Sequence, residues 1–177
     1  MKNLFTYALV ALFLVGCKSK DSIAKAEENQ QKQEELRALI DSGEYEFTAQ
    51  WAYPMRNNLV NLPLDPNLSS GQINLLGNPN YIRVKNDSAQ IDMPFFGVAR
   101  SAPYGKSANP FDGQLKDYNV EEKKGKFIIT FTASDGSQVS NYTITAISKN
   151  SVDVSVNSSW RDNISYRGEI KSTEKDM

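Results

Sequence analysis

From Glu44 onward the apolar positions fall on alternate residues. Tyr45, Phe47, Ala49, Trp51 and Tyr53 share one face of an extended chain, and Glu46, Thr48 and Gln50 share the other, as in a half-buried strand. The same period of two recurs at Ile82 and Val84, at Ala89, Ile91 and Met93, and at Phe127, Ile129, Phe131 and Ala133. It returns at Tyr142, Ile144 and Ala146, at Val152, Val154 and Val156, and at Ile164, Tyr166, Gly168 and Ile170. One more segment, 111–120, slips phase between Leu115 and Tyr118, which predicts a bulge or bend near Asp117. About eight strands result.

Compact turn signals stand between strand pairs at Asn86-Asp87, Lys124-Gly125, Asp135-Gly136 and Lys149-Asn150. They predict consecutive antiparallel pairing, a meander, and no helical pattern lies between the strands to suggest βαβ units. With one apolar and one polar face, such a sheet must curl over its own core, so the expected class is mainly β, a barrel-like or two-layer sandwich domain. The side chains expected inside are bulky: Tyr45, Phe47, Trp51, Phe127, Phe131, Tyr142 and Tyr166 fill an eight-strand interior, roughly the size at which a barrel has room only for side chains.

Ahead of the first strand, Leu36, Leu39 and Ile40 lie at helical spacing just before Ser42-Gly43. They predict a helix whose last turns dock on the body and which Gly43 ends. The stretch EENQQKQEE, Glu27 to Glu35, has no apolar residue, so the first half is a solvated spacer. A charged disordered tether is an equal reading for residues 18–30.

The chain opens MKNLFTYALVALFLVGC, with one positive charge at Lys2, an apolar run from Tyr7 to Val15, and small residues before the sole cysteine, Cys17. This is a secretory signal, since a membrane-spanning helix needs roughly 20 apolar residues. Leu14-Val15-Gly16-Cys17 resembles a bacterial lipobox, which implies cleavage before Cys17 and lipidation of its sulfur. Several acyl chains at about 0.8 kcal/mol per buried methylene make such attachment permanent. The expected organisation is a signal peptide over 1–16, a lipidated tether and helix over 17–43, a β-domain over 44–171 and a tail over 172–177.

Charge and composition then remove whole classes of function. The full chain carries 20 basic and 21 acidic side chains, and cleavage removes only Lys2, so no basic footprint for nucleic acid exists. Histidine is absent and the one cysteine is committed to lipid, which excludes Ser-His-Asp and Cys-His catalysis and His- or Cys-based metal sites. No cofactor and no metal are expected. A carboxylate hydrolase is the remaining enzyme reading, with Asp92 and Asp112 as its pair, although solvated strand-face charges explain both.

The segment DMPFFGVARSAPYG, Asp92 to Gly105, is too aromatic for an ordinary connection. Two readings stand. It folds over an open end of the sheet as a plug, with one of Phe95 and Phe96 entering the core; or it forms a recognition rim in which Phe96, Arg100 and Tyr104 are joined by Trp160 and Arg161 from the last long loop. Aromatic and arginine side chains are those enriched at binding hot spots.

The runs IDMPFFGVARSAPYG, FDGQLKDYNVEEKKGKFIITFTA and VSVNSSWRDNISYRGEI together resemble a family of Bacteroidota lipoproteins defined only as a domain of unknown function, number 4251. The resemblance implies a β-rich cell-envelope lipoprotein and supplies no catalytic residues. The functional expectation is a non-catalytic binding or structural module, monomeric in its soluble part, anchored through Cys17 and facing a protein or glycan partner. A barrel carrier of a small apolar ligand is the alternative, and the hydrolase the last. Lys18-Ser19-Lys20-Asp21 lacks the acidic run that marks surface export in that phylum, which places the protein on the periplasmic face of the outer membrane. Asp21-Ser22-Ile23 and Asp87-Ser88-Ala89 match the Asp-Ser/Thr-aliphatic motif of O-glycosylation there, making Ser22 and Ser88 candidate acceptors; Asp21 reads equally as a helix N-cap.

Overall fold

A computed structural model describes residues 20–54, 71–96, 110–136 and 138–173, with residues 20–23 as backbone. Among the described residues one helix, α1 (Lys20–Asp41), precedes ten strands. These are β1 (Glu44–Pro54), β2 (Ile73–Asn74), β3 (Tyr81–Lys85), β4 (Ser88–Asp92) and β5 (Phe111–Gln114), followed by β6 (Lys116–Lys123), β7 (Lys126–Asp135), β8 (Gln138–Ser148), β9 (Ser151–Ser158) and β10 (Ile164–Ser172). All pair antiparallel in one sheet, ordered β5-β4-β3-β1-β10-β9-β8-β7-β6, with the short β2 beside β1.

Order along the sheet is consecutive from β3 to β5 and from β6 to β10, as the turn signals imply. The two-residue turn at Lys124-Gly125 has positive φ at both residues (52° and 71°), the hand that suits such a hairpin. Strand β1 lies between β3 and β10, so the first and last strands meet in the middle of the sheet. The two outermost strands, β5 and β6, are successive pieces of one segment joined at Leu115, whose N–H donates to the Asp87 carbonyl at 2.7 Å. Asp117, at φ 54°, kinks that segment where its register against β7 slips, at the position where the apolar phase changes. One bent segment therefore crosses from the edge at β4 to the edge at β7, and the sheet becomes a nearly closed barrel. Counted with that segment as one strand and with the short β2 left aside, the barrel has the eight strands its periodicity implies.

Inside, Tyr45, Phe47, Val84, Ile129, Ile144 and Val152 are fully buried. Tyr118, Phe131 and Tyr142 stack in sequence across β6, β7 and β8, with ring centroids 6.4 and 5.0 Å apart. The Tyr118 and Tyr45 hydroxyls meet at 3.2 Å, so the largest polar tips satisfy each other.

The inward assignment of Trp51 and Tyr53 requires correction. Register between β1 and β10 shifts between Ala49 and Trp51, so Gln50 is an extra residue in β1 and everything after it turns over. Ala52 and Pro54 are buried, whereas Trp51 and Tyr53 are half-buried on the outer face, where the Arg167 guanidinium sits 5.9 Å from the Tyr53 ring centroid. A period-two pattern cannot signal its own reversal when the residues on both sides are aromatic.

Helix α1 covers one end of the barrel. Leu36, Leu39 and Ile40 are buried, and residues 24–32 are exposed all round. Gln33 donates to the Ile147 carbonyl at 2.6 Å, Lys149 bonds Glu35 at 3.1 Å, and Arg37 pairs with Glu122 while lying over the Phe127 ring. Gly43 at φ 68° ends the helix, and its carbonyl accepts the Asn86 N–H at 2.8 Å. The start of β1 and the β3–β4, β6–β7 and β8–β9 turns are all at this end.

Candidate functional site

The opposite end carries the site. Proline 94 has no N–H, so the ladder of β3 with β4 stops at the Tyr81–Asp92 pair and the chain leaves the sheet. Phe95 and Phe96 follow, and both are half-buried against the core cluster. The Tyr166 hydroxyl donates to the Pro94 carbonyl at 2.8 Å and fixes the point of departure. Across the mouth, the β9–β10 connection is tied to β8: Ser159 N–H donates to the Val139 carbonyl at 3.0 Å, and the Ser140 and Ser158 hydroxyls meet at 3.2 Å.

Those ties present Trp160 and Arg161 to the barrel mouth. The guanidinium carbon of Arg161 lies 3.6 Å from the Trp160 ring centroid and 4.6 Å from that of Phe95, so two rings hold one cation. They border a cavity of about 90 Å³, floored by Ile91, Phe111, Tyr142 and Tyr166 and edged by Gln138, Ser140, Asp135 and Asp162.

Two donors at this site are unmet. Arg161 Nε and Trp160 Nε1 are buried and have no hydrogen-bond partner among the described residues. Burial draws the Arg161 pKa below its usual value, against the pull of Tyr166 and Tyr142. Burial also pushes Tyr142 up to about 12 and Tyr166 well above the ordinary tyrosine range, with the cation of Arg161 opposing both shifts. Both hydroxyls therefore stay neutral through the physiological range. The chemistry available at the mouth is a cation, N–H donors and aromatic faces around a small hollow, suited to gripping an acceptor group.

Of the candidate binding residues, Trp160 and Arg161 are brought together, and Phe96 lies beside the Phe95 that contacts them. Arg100 and Tyr104 lie outside the described residues, as does Cys17. Asp92 and Asp112 are exposed on the outer face; Gln90 donates to Asp112 at 3.1 Å, and neither aspartate lines the cavity. Ser88 opens β4 half-buried, its hydroxyl donating to the Lys85 carbonyl at 2.8 Å, and Ser22 falls on the first turn of α1. Among the described residues no group of three or more Asp, Glu, His or Cys could hold a metal, and no helix is long and apolar enough to cross a membrane.

Phe95 as the partner of Arg161, and Tyr142 and Tyr166 as the cavity floor, are not visible in the sequence. The FF and WR pairs are 65 residues or so apart along the chain, on the order of several strand lengths, and meet because β1 stands between β3 and β10, bringing the end of β4 and the start of β10 to the same rim.

The family profile described as Domain of unknown function (DUF4251) matches residues 27–170. The crystal structure of a DUF4251 family protein from Bacteroides eggerthii DSM 20697 superposes with a TM-score of 0.56 at 14% identity, over 80% of this chain and 87% of that one. At that identity the likeness speaks for the fold alone. A search of the curated proteins finds no match. The sequence resemblance thus holds across most of the β-domain and the docked turns of α1: the chain belongs to the DUF4251 family.

Proposed function

We propose that this chain is a membrane-anchored envelope lipoprotein whose barrel is a non-catalytic binding module, engaging its partner end-on at the mouth formed by Phe95, Trp160 and Arg161. The observation behind this reading is Arg161, a half-buried cation with no ion-pair or hydrogen-bond partner among the described residues, gripped by two aromatic rings. Folding alone would favour an apolar side chain there, because a partly desolvated charge without a partner costs stability. Such costs are retained where a site needs the group. The filled interior supports recognition at the rim over carriage of an apolar ligand inside: the hollow is about 90 Å³, well below the roughly 300 Å³ at which ligand pockets begin.

Lipid on Cys17 would join the chain ahead of α1, whose last turns dock at the end of the barrel opposite the mouth. The mouth would then face away from the membrane, with the exposed turns of α1 as spacer, on the periplasmic side of the outer membrane. Affinity capture of the full-length lipoprotein from its own membranes, in parallel with Arg161→Ala and Trp160→Ala, tests this. The reading expects partner recovered with the parent and lost with both variants at unchanged expression. Equal recovery from all three would refute it.

A further inference from the structure

We infer that the mouth of the barrel takes a carboxylate carried on a planar apolar body, an inference that rests on the binding reading above. Arg161 Nε and Trp160 Nε1 are donor-only groups, so the partner both lack among the described residues is an acceptor. Arg161 is a guanidinium with no carboxylate against it among the described residues, so an acceptor bearing negative charge gains most.

Geometry separates carboxylate from phosphate. Among the described lining residues Arg161 is the single cation, and the Asp135 carboxylate stands on the same rim, an arrangement that favours one negative charge over two. A carboxylate is planar, carries one charge and matches the guanidinium fork of Arg161, whose carbon lies 3.6 and 4.6 Å from the two ring centroids. Size sets the rest. About 90 Å³ takes the carboxylate and the near edge of a flat body whose remainder stays at the rim, and the apolar lining of Phe111, Ile91 and Tyr142 suits that hydrocarbon edge. Both a free aromatic acid and the terminal carboxylate of a peptide ending in an aromatic residue present this chemistry.

Two tryptophans, Trp51 and Trp160, give two indole N–H resonances in the ¹⁵N-labelled full-length lipoprotein in mild detergent, and Trp160→Phe assigns them. Titration with benzoate is expected to move the Trp160 resonance saturably and leave Trp51 in place. Acetate should act only at higher concentration, benzamide and inorganic phosphate should not act, and Arg161→Gln should raise the benzoate midpoint at least tenfold. A tripeptide ending in phenylalanine, compared with its C-terminal amide, distinguishes the sources: a shift with the free acid form alone assigns a peptide end, and a shift with benzoate but neither peptide assigns a small acid. Benzamide acting as well as benzoate would overturn the carboxylate inference while leaving the mouth a binding site. So would phosphate acting at lower concentration than benzoate. Silence of Trp160 toward every probe overturns it too, and the broader reading is then decided by partner capture.

Discussion

The Asn80 carboxamide replaces a missing strand beside Ala49: its oxygen accepts the Ala49 N–H at 2.7 Å, and its nitrogen donates to the Ala49 carbonyl at 3.1 Å. Strand β1 pairs with β3 over residues 44–47 and with β2 at 51–52, which leaves its edge open at the bulge. Asn80 and the Leu75 N–H, donating to the Gln50 carbonyl at 2.9 Å, close that gap. Asn80→Ala strands a buried donor and acceptor and is expected to cost about 1–3 kcal/mol per unmet group, read as a lower urea midpoint at unchanged slope. Asn80→Asp should also destabilise, because a carboxylate cannot donate to the two carbonyls that Asn80 serves.

Gly168 faces the same bulge from β10. A methyl group there would overlap the Thr48 carbonyl and come within 2.8 Å of Ala49 Cα, backbone atoms of β1 that cannot yield as a side chain could. Gly168→Ala is expected to cost at least about 3 kcal/mol or to prevent folding, whereas Gly125→Ala, in an open turn at φ 71°, should cost about 1 kcal/mol from backbone strain. Paired denaturation curves of the two variants check the contrast.

Buried tyrosines set an alkaline limit. Tyr142 is raised by burial from an ordinary 10.0 to about 12, and Tyr45 and Tyr166 are raised in the same sense. The unfolded chain ionises first, so this stability is intact below pH 10 and disappears as pH climbs from 10 toward 12; for Tyr142 it amounts to about 3 kcal/mol at 1.36 kcal/mol per unit. Tyrosinate absorbance should therefore rise together with loss of the β-sheet circular dichroism signal. Complete tyrosinate formation with the sheet intact would contradict the buried placement.

Helix α1 should divide sharply in its sensitivity. Leu36→Ala removes a fully buried side chain at the covered end of the barrel and is expected to cost about 2–5 kcal/mol. Substitutions of Gln30 or Gln31, exposed on the same helix, should leave the melting temperature unchanged within about 1 °C.

Strand positions, turns and the docking face of α1 were legible because period two and period 3.6 follow directly from which side chains must face the core. The bend at Asp117 was legible for the same reason, since the apolar phase changes with it. The bulge at Gln50 was not: Trp51 and Tyr53 are as apolar as the Ala52 that replaces them inside, so nothing in the pattern reports the reversal. The mouth was legible in part. Trp160 and Arg161 stood out as exposed-type hot-spot residues in a loop, but their meeting with Phe95 depends on the non-local pairing of β1 with β10, which no local period encodes. Two further candidates, Arg100 and Tyr104, fall outside the described residues.

Thermal unfolding of Arg161→Met tests most directly whether Arg161 is kept for binding or for folding. Methionine keeps an unbranched apolar stem beside Trp160 and Phe95, ends one atom short of the guanidinium carbon that lies over the two rings, and removes the charge. A binding role predicts a melting temperature within about 3 °C of the parent, or above it, together with loss of the partner. A fall of more than about 6 °C with the partner still captured would show that Arg161 holds the barrel mouth together, and would contradict the account.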